Sequence, residues 1–134
     1  PFVTRGTTAL GHLNLMDGGW SDPIPVKKAY ALGARKIVAI RTVPKDYKQD
    51  WSVLGVFGGF YHRRNEQLSW RFNRDYEYYN DSVDFANSPP DDCELYQIAP
   101  PDFLKTKDYK ATRESLEADY QLGYKLGLEF LANQ

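Results

Sequence analysis

Asp17-Gly18-Gly19 is the stretch whose residue types could do chemistry. A carboxylate followed by two residues without side chains can be brought against a reacting group at close backbone approach. There it can orient or deprotonate a hydroxyl nucleophile, or bind a cation. The same three residues also suit an Asx-type turn with no chemical role, and three residues do not choose between these readings. His12, Asp17 and Asp22 stand five apart in turn and hold donor atoms that a divalent cation accepts. A strand-and-turn path sends those side chains in different directions, so no metal and no other cofactor is expected.

The elements around the turn set where Asp17 sits. Residues 12–16 alternate apolar with polar and read as a strand that ends at the aspartate. Asp22 suits a helix N-cap and Pro23 a first helical position, which predicts a helix over 23–32 with Gly33 placed to end it. Lys36–Arg41 is a short apolar run with β-branched residues, the pattern of a strand covered on both faces. Glu94–Ile98 reads as a third strand, and a last helix is expected from Thr112 onward. The fold class expected is therefore α/β: a partial parallel sheet of about three strands flanked by helices. Asp17 would leave the carboxyl end of a parallel strand, where open α/β sheets place their clefts.

The run Asp17-Gly18-Gly19-Trp20-Ser21-Asp22-Pro23-Ile24-Pro25-Val26, continued by Leu32-Gly33-Ala34-Arg35-Lys36-Ile37-Val38-Ala39-Ile40-Arg41-Thr42, resembles the carboxyl-terminal half of bacterial patatin-like phospholipases. The likeness is close over Leu15–Pro44. It is looser beyond, through Ile98-Ala99-Pro100 and the Tyr120-x-x-Gly123 and Tyr124-x-x-Gly127 pattern. The resemblance implies that residues 1–134 are the distal part of one such hydrolase domain. Asp17 would be the acid of a Ser-Asp dyad that cleaves carboxylic esters of lipids, with Gly18 and Gly19 shaping its turn. Asp17 pointing into bulk solvent, or its strand running antiparallel to the neighbour formed by Lys36–Arg41, would count against any reading of this aspartate as the acid of an ester hydrolase.

The dyad's serine has no candidate here. A nucleophile elbow needs Gly-x-Ser-x-Gly, and the nearest string, Gly19-Trp20-Ser21-Asp22-Pro23, has proline at the second glycine. Ser21 is more simply a residue that begins a helix. Ester hydrolysis needs a nucleophile, a base and donors for the oxyanion, and this chain offers at most the base. The 134 residues alone are expected to be inactive, with the nucleophile in a part that precedes them. The other reading is a non-catalytic packing or binding module that associates with a second copy or with the missing half, since an incomplete sheet exposes an edge.

The aromatic-rich middle carries further candidates. Nine of the twenty aromatic residues fall between Phe57 and Phe85, and Leu68, Phe72, Tyr76 and Tyr79 follow helical spacing. Arg63, Arg64, Trp70, Arg71 and Arg74 mix cations with stacking surfaces, as single-stranded nucleic-acid binders do. The interleaved Glu66, Asp75 and Glu77 favour a solvated helix with ion pairs instead. Trp51, Phe57, Phe60 and Tyr61 are candidates to cover an acyl-chain pocket or to touch a lipid surface. His62 reads as a surface residue and Cys93 as an inert packing residue. Gly123 and Gly127 allow close packing of the last helix on a neighbour.

Composition narrows the class. Of 134 residues, 42% are hydrophobic and 26% charged, as in a globular chain. Seventeen basic against eighteen acidic residues leave a formal charge of −1, with no global field for nucleic acid. No apolar run reaches the roughly 20 residues of a membrane-spanning helix. One cysteine excludes an internal disulfide and suits a reducing compartment, so the expected location is cytoplasmic or peripheral to a membrane. Pro1 in place of an initiator methionine reads as a processed or excised piece of a longer chain.

Overall fold

The computed structural model describes residues 8–11, 13–15, 17–51, 53–107 and 110–133. The elements run β1 (Thr8–Leu10), β2 (Leu13–Leu15), a 3-10 turn (Gly18–Trp20), α1 (Val26–Ala31), β3 (Lys36–Ile40), α2 (Val53–Tyr61), α3 (Glu66–Asn73), α4 (Asp75–Asn87), β4 (Glu94–Ile98) and α5 (Arg113–Ala132). The class is α/β. The chain divides into two compact units: one holds the described residues up to Pro25 with Lys48–Ser82, the other Val26–Tyr47 with Val83 onward.

In the first unit β1 and β2 form an antiparallel hairpin, with Thr8 opposite Leu15 and Leu10 opposite Leu13. The positive φ of Gly11, 60°, is the left-handed angle such a tight reversal needs. Helices α2 and α3 pack closely because α2 turns glycine toward its neighbour. A Cβ on Gly58 would lie 2.5 Å from the Phe72 ring, and one on Gly59 would lie 2.6 Å from the Asn73 amide. The Ser69 hydroxyl donates to the Gly59 carbonyl at 2.8 Å and ties the same two helices. Phe72 is 1% exposed, a burial that contributes roughly 1.5–3 kcal/mol. Tyr79 is buried too, while Leu68 and Tyr76 are half-buried, so the expected apolar face is present. It is split between two helices at Arg74, whose φ of −127° and ψ of 22° end α3. Gln49 N–H donates to Asn80 Oδ1 and Asn80 Nδ2 donates to the Gln49 carbonyl, at 2.8 and 2.9 Å, fixing the loop before α2 onto α4.

In the second unit β3 and β4 are parallel, in register from Lys36 opposite Glu94 to Ile40 opposite Ile98. Arg41 N–H to the Ile98 carbonyl and Glu94 N–H to the Arg35 carbonyl extend the ladder at both ends. Helix α1 ends in a Schellman motif: Ala34 N–H reaches the Ala29 carbonyl and Gly33 N–H the Tyr30 carbonyl, with Gly33 at φ 100°. The expected helix over 23–32 starts late, at Val26. Pro25 disfavours helical angles at Ile24, so the turn cannot propagate back through the two prolines. Helix α5 starts as expected at Thr112, through a reciprocal capping box with Ser115. Asp119 on α5 accepts the N–H groups of Lys105 and Thr106 at 2.9 and 2.8 Å, holding the preceding loop.

Two expectations about the sheet and one about α5 are not met. The strand leading to Asp17 pairs with β1, antiparallel, so the parallel sheet among the described residues has two strands, not about three. The β-turn at Gly11 lets Leu13–Leu15 find its nearest neighbour in sequence, which costs less loop entropy than a crossover to β3. Strand β3 is also not covered on both faces: Ile37 is buried, but Val38 is 45% and Ile40 79% exposed. Finally, no atom lies within 4 Å of where side chains on Gly123 and Gly127 would be, so the expected close packing of that glycine stripe is not made among the described residues.

Candidate functional site

Asp17 caps the 3-10 turn that follows it. Its backbone is non-helical, at φ −53° and ψ 124°, and its Oδ1 accepts the Gly19 N–H at 2.8 Å. A Cβ on Gly19 would meet Oδ1 at 3.2 Å, so a side chain there would push the carboxylate aside. Around Gly18 the space is open. Ser21 closes the turn: its N–H bonds the Gly18 carbonyl at 2.9 Å and its hydroxyl donates to the same oxygen at 3.1 Å. That hydroxyl is engaged with the backbone, and it lies in a turn ahead of α1 instead of in its first helical residues. Asp22 is half-buried and does not cap α1.

Asp17 is exposed, and it follows a strand of the hairpin, not a strand of the parallel pair. The placement at the rim of a parallel layer is therefore not what holds it. A local turn does, with Oδ1 engaged and Oδ2 in none of the hydrogen bonds among the described residues. His12 lies outside the described residues. Among the described residues, no group of three or more His, Cys, Asp or Glu side chains is placed to hold a metal ion.

Beside this turn is an open cleft of about 740 Å³, within the size range of small-molecule sites. Ser21 lines one wall, and Asn65, Leu68, Trp70 and Arg71 of the α3 region line another. Asn65 caps α3 by accepting the Leu68 N–H at 3.1 Å, which fixes the rim of the cleft. Trp70 stacks edge-on against Tyr78, at 5.8 Å between ring centres. No sequence spacing links these residues to Ser21, and Trp70 reads from the sequence only as a base-stacking candidate. Two cations of that stretch are used internally: Arg71 lies 3.2 Å over the Tyr78 ring, and Arg74 lies over Trp70 and pairs with Glu77 at 3.5 Å.

A second polar constellation, also missed, joins α1 to β4. Tyr30 Oη donates to Asp92 Oδ1 at 2.9 Å and Arg35 Nε to Asp92 Oδ2 at 2.8 Å. The Arg35 guanidinium sits 4.3 Å over the Tyr30 ring and also donates to the Tyr30 carbonyl. The Tyr30 hydrogen bond, then the charge of Arg35, hold the Asp92 carboxyl below its usual range, and the bond to Asp92 raises the Tyr30 phenol. The partners are 57 and 62 residues apart, so no local motif announces them. Cys93, next to Asp92, is buried as expected.

Among the described residues no helix is long and apolar enough to cross a membrane. No solved structure matches the chain. A protein of Escherichia coli (strain K12), named Uncharacterized protein YjjU, is 31% identical over 145 residues; the alignment covers 98% of this chain and 37% of that protein. The chain thus spans little more than a third of this relative's length. Residues 67–134, from α3 to the end, match a family described as a domain of unknown function, DUF6363. Neither finding points to patatin-like phospholipases, and the assignment suggested by the Leu15–Pro44 block does not stand. The family match covers half of the chain and lies beyond the Asp17 turn, and the chain belongs to the family of the domain of unknown function DUF6363.

Proposed function

We propose that this chain contributes the carboxylate of a Ser-Asp pair that hydrolyses a carboxylic ester of a lipid, the serine coming from polypeptide outside the 134 residues. The observation that carries the reading is the Asp17 turn. Oδ1 is fixed by the Gly19 N–H, Oδ2 is in none of the hydrogen bonds among the described residues, and Gly18 leaves room for another backbone to approach. In such a pair the carboxylate takes the hydroxyl proton as the serine oxygen bonds to the carbonyl carbon. The proton passes to the leaving alcohol as the acyl-enzyme forms, and water then releases the acid by the same route. The cleft beside Ser21, with Leu68 and Trp70 in its wall, suits the apolar part of an ester.

The test uses a short-chain nitrophenyl ester and a serine-directed fluorophosphonate. The product of the complete reading frame should turn over the ester and take the label, and the 134 residues alone should do neither. Labelled, active 134-residue protein would overturn the missing-serine reading. An inactive, unlabelled complete product would overturn the hydrolase.

A second reading is favoured by a separate observation. Val38 and Ile40 expose one face of a parallel pair, and parallel strands are ordinarily covered on both sides. Helix α5 buries no residue fully and leaves Leu116, Tyr120, Tyr124 and Leu131 more than half exposed. A packing module that docks on the rest of its polypeptide or on a second copy accounts for both. Sedimentation velocity of the 134 residues should show self-association; a monodisperse monomer would count against it.

A further inference from the structure

Helix α2 is amphipathic in an inverted sense. At about 100° per residue, Val53, Val56, Phe57 and Phe60 fall within one stripe, with Tyr61 at its margin. Gly55, Gly58 and Gly59 fall on the opposite side. The glycine side is the buried one, since Phe72 and Asn73 of α3 occupy the space that side chains on Gly58 and Gly59 would need. Packing on α3 therefore forces the bulky residues outward. Phe57 is 64%, Phe60 65% and Tyr61 76% exposed, and Trp51, just before the helix, is 60% exposed. The glycines that loosen a helix in isolation are what present its aromatic face to solvent.

The charged side chains within Trp51–Asn65 are both basic, with Asp50 and Glu66 standing just outside that segment. From Trp51 to Asn65 there is no acidic residue, and exposed Arg63 and Arg64 follow the helix directly. The Arg63 guanidinium lies 4.6 Å over the Phe60 ring, so cation and aromatic are presented together. Trp, Tyr and Phe side chains beside arginines are the composition that settles at the headgroup level of a bilayer.

We propose that the exposed face of α2, from Trp51 to Tyr61 with Arg63 and Arg64 at its end, is a docking surface for an anionic lipid bilayer. The aromatics enter the interface and the two guanidinium groups meet lipid phosphates. The proposal goes beyond the hydrolase reading and does not depend on it, because its readout needs no turnover.

The experiment is sedimentation of the chain with vesicles of phosphatidylcholine alone and of equal parts phosphatidylcholine and phosphatidylglycerol. Sedimentation with the mixed vesicles, weakened by salt, is expected, with much less on the neutral ones. Phe57→Ser with Phe60→Ser should lower partitioning at least about tenfold. Arg63→Gln and Arg64→Gln should each lower it about fivefold. Should the serine pair fail to fold by circular dichroism, the arginine variants and the salt dependence decide. No sedimentation, or equal sedimentation of every variant, overturns the proposal. A dimer in the absence of lipid that the serine pair dissociates assigns the face to a second copy and overturns it as well.

Discussion

Two turns flank α1 and are held in different ways. The turn at Asp17–Ser21 is closed by its own residues: every hydrogen bond that Asp17 and Ser21 make spans at most three residues. The turn at Gly33–Arg35 is closed locally by the Schellman bonds and also from afar, by Asp92 across 57 and 62 residues of chain. A turn that closes itself leaves its second carboxylate oxygen uncommitted among the described residues, and substituting it disturbs little else. A turn clamped by tertiary contacts has its side chains committed.

Substitutions that separate local from long-range support sharpen the contrast. Gly58→Val should be the most damaging, because its side chain would collide with the buried Phe72 ring. An overpacking cost of about 1–3 kcal/mol is expected in urea unfolding. Gly33→Val, at φ 100°, should cost about 1–2 kcal/mol through backbone strain alone, since nothing lies within 4 Å of the new Cβ. Thr112→Ala, which removes the α5 capping box, should cost about 1 kcal/mol by the same measurement.

The exposed Asp92 clamp should give the smallest effect, visible through pH. The Asp92 carboxyl is held below its unfolded value, so its contribution is present above the unfolded pKa and is lost as pH falls through the folded one. The Tyr30 phenol is raised, so its share is present below its unfolded pKa and is lost as pH rises through the folded one. Asp92→Asn should lower the melting temperature slightly at neutral pH. The difference from the unsubstituted chain should vanish in acid; a gap that persists there would mean the clamp acts by shape and not by charge.

What the sequence revealed follows contact range. Strand Glu94–Ile98, the Gly33 stop and the Thr112 start were legible because each is set by residues within one turn or one strand of itself. The pairing of Leu13–Leu15 was not, because alternation marks a strand without naming its partner. The cleft wall was hidden for the same reason: Ser21 and Trp70 are far apart in sequence, and their neighbourhood depends on α2 and α3 closing over glycine. The turn at Asp17-Gly18-Gly19 was legible, as an Asx-type turn. That it follows a hairpin strand in place of a parallel sheet edge was not.

The most direct test of the central claim is the turnover number of the complete reading frame's product carrying Asp17→Asn, measured beside its melting temperature. The account predicts a fall of about 10²–10⁴-fold in ester hydrolysis with stability essentially unchanged, because Asn still accepts the Gly19 N–H. Hydrolysis that survives at the unsubstituted rate would contradict it and leave Asp17 as a turn residue alone.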